Sequence, residues 1–244
     1  MSFVDHLDEL RTRLIRAVII IFVGFFVCYH FGADITGFLL GPLQEAVGDQ
    51  GKIVYLGVLD KVLAQFQLAF WCSLILTSPF WFYQVWLFIR PGLYDNEIRV
   101  IRPFLLVGLI LFWLGILFGY YLVFPFAIET LLDFGVDYLE ATLDFKTYLV
   151  LSSKVLVFLG VLFQLPNIMV ILGFMEIVTK YSLRSIRRYV YVAFAVVSAM
   201  LTPPDIITMM GIWVPLICLY EVGILAVAFI VHPYLRKKYP INNT

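Results

Sequence analysis

The stretch YVYVAFAVVSAMLTPPDII, residues 189–207, decides how often this chain crosses a membrane. An apolar run of 189–201 meets Thr202-Pro203-Pro204-Asp205, and a second run starts at Ile206. Thirteen helical residues rise only about 20 Å. A hydrocarbon core is about 30 Å thick. Reading straight through the prolines would join Arg188 to His232 in one implausibly long span. The stretch is therefore read as a short hairpin, with a fifth span at 189–201 and a sixth at about 206–231. Its mismatch must be met by bilayer thinning or by neighbouring helices.

Four more apolar runs precede it, at about 14–31, 66–86, 103–126 and 148–174. The expected fold class is all-α: an integral membrane bundle of six transmembrane helices in a single domain, 1–244, with the last two helices short. Met1 to Arg13 is charged and amphipathic, with no small-residue cleavage site after the first span, so no cleavable signal peptide is expected. Ser2-Phe3-Val4-Asp5 resembles a capping box, and a cytoplasmic helix is expected over 2–13. The first outer loop, about 32–65, carries Phe38, Leu39, Leu40, Val54, Tyr55, Leu56, Val58 and Leu59. It is expected to form a cap with helical structure of its own.

Composition supports a membrane solvent. The chain is 62% hydrophobic and 14% charged, against about 45–50% and about 25% in soluble domains. Seventeen basic residues balance seventeen acidic ones, which argues against a nucleic-acid partner. Six spans put both ends of the chain on one side, and lysine and arginine choose that side. Arg11, Arg13, Arg16, Arg90, Arg99, Arg102, Lys180, Arg184, Arg187, Arg188, Arg236, Lys237 and Lys238 all fall in segments that share it. The opposite segments hold only Lys52, Lys61, Lys146 and Lys154. Both ends are therefore expected inside.

Sequence signatures of catalysis are lacking. There is no His-Glu-x-x-His, Gly-x-Ser-x-Gly, phosphate loop or Gly-x-Gly-x-x-Gly. His6, His30 and His232 lie far apart near membrane boundaries and read as interfacial residues. Cys28, Cys72 and Cys218 are scattered in apolar runs and read as buried structural thiols, with no disulfide or zinc site. No catalytic residue, metal or cofactor is expected.

The remaining polar residues each have a plain structural reading. Glu9 and Arg13 are four apart, the spacing of a helix-surface ion pair. Phe88, Leu93 and Tyr94 beside Glu97 form either an interfacial aromatic belt or a carboxylate in an apolar groove. Gln164, followed by Pro166 and Asn167, lies midway along the fourth span. It serves either helix–helix hydrogen bonding or a wet cavity. Lys154, nearer the outer end, can snorkel outward. Glu221 falls about 22 Å beyond Ile206, within reach of Arg187 or Arg188.

Taken in order, these segments resemble the TatC family of twin-arginine protein translocases over nearly the whole chain. The motifs are His6-Leu7-Asp8-Glu9-Leu10-Arg11-Thr12-Arg13-Leu14, Ser78-Pro79 through Tyr83-Gln84-Val85-Trp86, and Phe88-Ile89-Arg90-Pro91-Gly92-Leu93-Tyr94-Asp95-Asn96-Glu97. Phe124-Pro125, Phe163-Gln164-Leu165-Pro166, Leu201-Thr202-Pro203-Pro204-Asp205 and Tyr220-Glu221-Val222-Gly223 complete the set.

The resemblance implies export of folded proteins, driven by the proton-motive force and not by nucleotide, through a multi-pass protein of a prokaryotic inner membrane. It implies recognition of signal peptides bearing two adjacent arginines, with Glu9 and Glu97 as the acidic residues that receive the pair. Arg11, Phe88 and Pro42 match other positions linked to function, and Asp205 matches the acid after the double proline. Implied partners are the signal peptides, single-span proteins of the TatA and TatB types, and membrane lipid, in an oligomer. The family implies no enzyme activity. Two positions depart from it: Gln164 stands where glutamate is common, and Met209 where glutamine is common. An amide does not titrate, so a hydrogen-bonding role remains for Gln164. A six-span transporter of a small molecule is the alternative, and it would call for a midplane site with internal symmetry. A lipid-modifying enzyme would need a convergent acid–base set that the sequence does not supply.

Overall fold

The computed structural model describes residues 3–47, 51–92, 95–133, 141–202 and 206–238. Helix covers all six expected spans. α1 (Phe3–His30) is one continuous helix, so the expected cytoplasmic helix and first span are a single element about 42 Å long. Ser2, which opens the expected capping box, lies outside the described residues. α2 (Gly32–Val47) fills the first half of the outer connection.

The second span is bent. α3 (Asp60–Leu76) and α4 (Ser78–Ile89) meet at 58°. Pro79 lacks an N–H and sits in the first turn of α4, so the α3 ladder cannot run on. Thr77 folds back, its hydroxyl donating to the Ser73 carbonyl at 2.6 Å. The Trp81 indole N–H donates to the Leu74 carbonyl at 2.9 Å. α1 passes close to this bend because Gly24 has no side chain. A Cβ there would stand 2.4 Å from Thr77 Cγ2.

The third span runs through α5 (Asp95–Phe118), a π-helical turn (Gly119–Val123) and α6 (Phe124–Asp133). The fourth is α7 (Phe145–Leu162) and α8 (Leu165–Phe174). They part where Pro166 can give no N–H to the Leu162 carbonyl. α9 (Lys180–Ser185) precedes the hairpin of α10 (Arg187–Leu201) and α11 (Ile206–Ala226). α11 continues through a π-helical turn (Val227–Val231) into α12 (His232–Lys238). The fifteen residues of α10 rise about 22 Å, short of a bilayer core. The sixth span, expected to be short as well, is not: the 21 residues of α11 alone rise about 32 Å.

The all-α expectation omitted one feature. β1 (Gly51–Val54) and β2 (Ala141–Asp144) pair in parallel, Gly51 opposite Ala141 and Val54 opposite Asp144. They join two outer connections about ninety residues apart.

Contacts divide the chain into two units, Met1–Gly92 with Ile116–Leu159, and Leu93–Gly115 with Gly160–Thr244. Leu43, Leu68 and Leu149 centre the first core. Phe112, Phe174, Ile212 and Ile224 centre the second. The expectation that all three cysteines are buried is corrected. Cys28 is buried, Cys72 half-buried and Cys218 exposed. Lipid is as apolar as a protein interior, so an apolar run need not face inward on a spanning helix.

Candidate functional site

The first unit carries the cytoplasmic end of α1. Glu9 and Arg13, one helical turn apart, form an ion pair at 3.3 Å, each side chain 22% exposed. Arg13 Nε is buried and has no partner among the described residues. Arg11 is exposed beside the pair. Phe88, in the last turn of α4, is half-buried. Partial shielding strengthens a carboxylate–guanidinium contact over its value in bulk water, while partial exposure leaves it open to exchange.

The outer side of this unit is braced by hydroxyls. Pro42 is buried inside α2. It cannot donate to the carbonyl four residues back, that of Phe38. The Tyr120 hydroxyl supplies the bond at 2.7 Å, and the rings of Tyr120 and Phe38 stack with centroids 4.4 Å apart. The Tyr148 hydroxyl donates to the next carbonyl, Leu39, at 3.0 Å. Sequence reasoning named Pro42 but missed both tyrosines. A proline inside a helix announces an orphaned carbonyl, and only the packing reveals the donor.

Where α3 and α7 begin, Lys146 Nζ meets Asp60 Oδ1 at 2.9 Å. Asp144 accepts from both the hydroxyl and the N–H of Thr147, and these bonds hold its carboxyl below the usual range. The Lys154 ammonium lies 5.9 Å from the Phe158 ring centroid.

The second unit holds the two remaining polar groups. Gln164 is buried, and its amide donates to the Gly108 carbonyl on α5 at 2.8 Å. Asn167 donates to Gln164 Oε1 at 3.4 Å. Gln164 thus ties the break in the fourth span to α5. Glu221 pairs with Arg187 rather than Arg188, and its other oxygen accepts from the Tyr191 hydroxyl at 2.5 Å.

The rest of the Tyr220-Glu221-Val222-Gly223 motif is used in packing. The Tyr220 hydroxyl caps the Leu183 carbonyl at 2.8 Å. A Cβ on Gly223 would stand 2.5 Å from Met169 Sδ and 3.2 Å from the Pro166 backbone. Trp213 completes the network with a 2.8 Å bond to the Tyr191 carbonyl. The motif therefore docks α9, α10 and α8 on α11.

Glu97 stands in the first turn of α5, and its side chain lies outside the described residues. Pro203, Pro204 and Asp205 also lie outside them. Among the described residues, no group of three His, Cys, Asp or Glu side chains is placed to hold a metal ion. The described geometry offers carboxylates that accept guanidinium and a hydrogen-bonded helix framework.

Comparison with known proteins agrees with this fold. The family model for Sec-independent protein translocase protein (TatC) matches residues 5–215. The chain is 38% identical over 221 residues to the Sec-independent protein translocase protein TatC of Magnetococcus marinus, covering 91% of this chain and 82% of that one. It is 34% identical over 221 residues to the Escherichia coli K12 protein of the same name, covering 91% and 86%. A crystal structure of the twin-arginine translocase receptor TatC superposes with a TM-score of 0.83 at 32% identity, covering 91% of this chain and 98% of that chain. The shared fold is an all-α membrane bundle of six transmembrane helices.

Proposed function

The chain belongs to the TatC family of Sec-independent protein translocases, and we propose that it is the component that receives twin-arginine signal peptides at the cytoplasmic face. It is a multi-pass membrane component of the twin-arginine translocase and not an enzyme. Acting as a single six-helix domain in the inner membrane, it hands folded cargo to export driven by the proton-motive force. Family membership sets aside the small-molecule transporter.

Glu9 and Glu97 each take one arginine of the signal peptide. Guanidinium presents a planar fork of donors that a carboxylate accepts at two points. Lysine does not reproduce that geometry. Arg11 and Phe88 flank the peptide. Pro42 keeps the outer cap in shape, and Gln164 acts through hydrogen bonding within the membrane. Glu221 fixes the hairpin of α10 and α11. Pro203, Pro204 and Asp205 are family-matched positions that follow the short fifth span in sequence, and that short span suits docking of single-span proteins of the TatA and TatB types in an oligomer.

One observation carries the reading. Glu9 already accepts a guanidinium, that of Arg13, at a helix end that is shielded but not sealed. A carboxylate held this way suits an arginine arriving from the cytoplasm.

Binding of an Arg-Arg signal peptide and its Lys-Lys counterpart to the detergent-solubilised protein tests the reading, with Glu9→Ala and Glu97→Ala alongside. Each loss should cost about 1.5–3 kcal/mol, the range for hydrogen bonds to charged groups. The Arg-Arg preference should fall in both variants. Unchanged preference in both would remove the two carboxylates from the site.

A further inference from the structure

The segment that leads into the short hairpin carries a surface the translocase reading leaves unused. From Ile177 to Tyr191 the chain reads IVTKYSLRSIRRYVY, with four cations and no carboxylate. Arg187 is committed to Glu221. Lys180, Arg184 and Arg188 pair with no carboxylate among the described residues, and the two arginines are exposed.

The exposed aromatic rings in this segment stand beside those charges. Tyr181 is 67% exposed and Tyr189 62%. Lys180 Nζ lies 5.0 Å from the Tyr181 ring centroid. The Arg188 guanidinium lies 4.7 Å from that of Tyr189 and donates to its hydroxyl at 2.9 Å. Ile177 and Ile186 are exposed as well.

Water alone suits the charges but not the apolar side chains beside them. The membrane interface suits both, since aromatic and aliphatic groups settle at headgroup depth while cations meet phosphate. Positively charged segments at the cytoplasmic surface are attracted to anionic lipid. The Arg187–Glu221 pair and the Thr179 cap on Ser182 N–H hold the segment in one shape.

We propose that Lys180, Arg184 and Arg188, framed by Tyr181 and Tyr189, form a binding site for the phosphate headgroup of an anionic phospholipid in the inner leaflet. Guanidinium and ammonium donors grip the phosphate oxygens, and the rings cover the glycerol region. The site lies beside the start of α10, so bound lipid would steady the entry to the short hairpin.

Native mass spectrometry of the detergent-solubilised protein, with equimolar phosphatidylglycerol and phosphatidylcholine, tests this. Phosphatidylglycerol should be retained preferentially, and the preference should weaken with salt. The variant Lys180→Gln/Arg184→Gln/Arg188→Gln should lose it, with affinity about fivefold weaker for each cation removed. Arg184→Gln alone should show a single fivefold step, while Lys61→Gln should change nothing. Equal retention of the two lipids, or preference undiminished in the triple variant, would overturn the proposal. Full competition by inorganic phosphate would also overturn it, by making lipid unnecessary.

Discussion

The Tyr120 hydroxyl donates to the Phe38 carbonyl at 2.7 Å, and Phe38 is the residue whose helical donor Pro42 removes. A proline that frees a carbonyl is tolerated where another donor takes its place. Here the donor comes from the third span, eighty-two positions along the chain. Proline and tyrosine together pin the outer cap to that span. Pro42 therefore acts through Tyr120, as well as through its own ring.

A double-mutant cycle isolates this brace. Tyr120→Phe keeps the stacked ring and removes the hydrogen bond, so it should cost about 1 kcal/mol. In a Pro42→Ala background the helix regains an N–H for Phe38, and the same change should cost clearly less. The measurement is unfolding in detergent for all four proteins, and strict additivity would show that the two residues act independently.

Glu221 is the acceptor for both Arg187 and Tyr191. With the paired side chains 38% and 32% exposed, Glu221→Ala should cost about 1–2 kcal/mol, below the ~3–5 kcal/mol of a fully buried pair. Glu221→Gln can still accept from Tyr191 and should cost about half as much. Thermal unfolding in detergent orders the three proteins. An alanine variant as stable as the parent would mean that packing alone holds the hairpin.

Asp144 gives a pH dependence with a definite sign. Its folded carboxyl is held below the ordinary value of 3.8 by the Thr147 hydroxyl and N–H. The stability from those bonds is full above that value. It is lost as pH falls through the lower folded value, because protonation removes the charged acceptor. Hydrogen exchange at the start of α7, followed from neutral pH downward, should show protection failing only below the ordinary carboxylate range. Thr147→Ala should move that loss upward in pH. An identical acid profile in both proteins would contradict the assignment.

Much of the fold was legible because it follows from local, one-dimensional properties. A run of apolar residues specifies a span by its length. The break at Thr202-Pro203-Pro204-Asp205 specifies two helices in place of one long one, although only α10 is short, since α11 alone has 21 residues. The distribution of lysine and arginine gives the sidedness. The spacing of Glu9 and Arg13 sufficed for their ion pair, since residues four apart on a helix are neighbours.

Everything that required two distant segments to meet was decided by the tertiary structure. Composition marked Gln164 as a polar residue at depth, but packing chose the Gly108 carbonyl as its partner. The sequence allowed Arg187 or Arg188 to reach Glu221, and the start of α10 presents Arg187 to it. Nothing in residues 51–54 or 141–144 announced their parallel pairing. Exposure of Cys218 was equally hidden, because a hydrophobic run reads the same facing lipid or a neighbouring helix. The sequence alone determined which segments enter the membrane and on which side the chain begins and ends, since transfer from water to lipid depends on composition. The tertiary structure alone decided which freed carbonyl, buried amide or charged group meets which partner, since that depends on helices brought together from far apart in the chain.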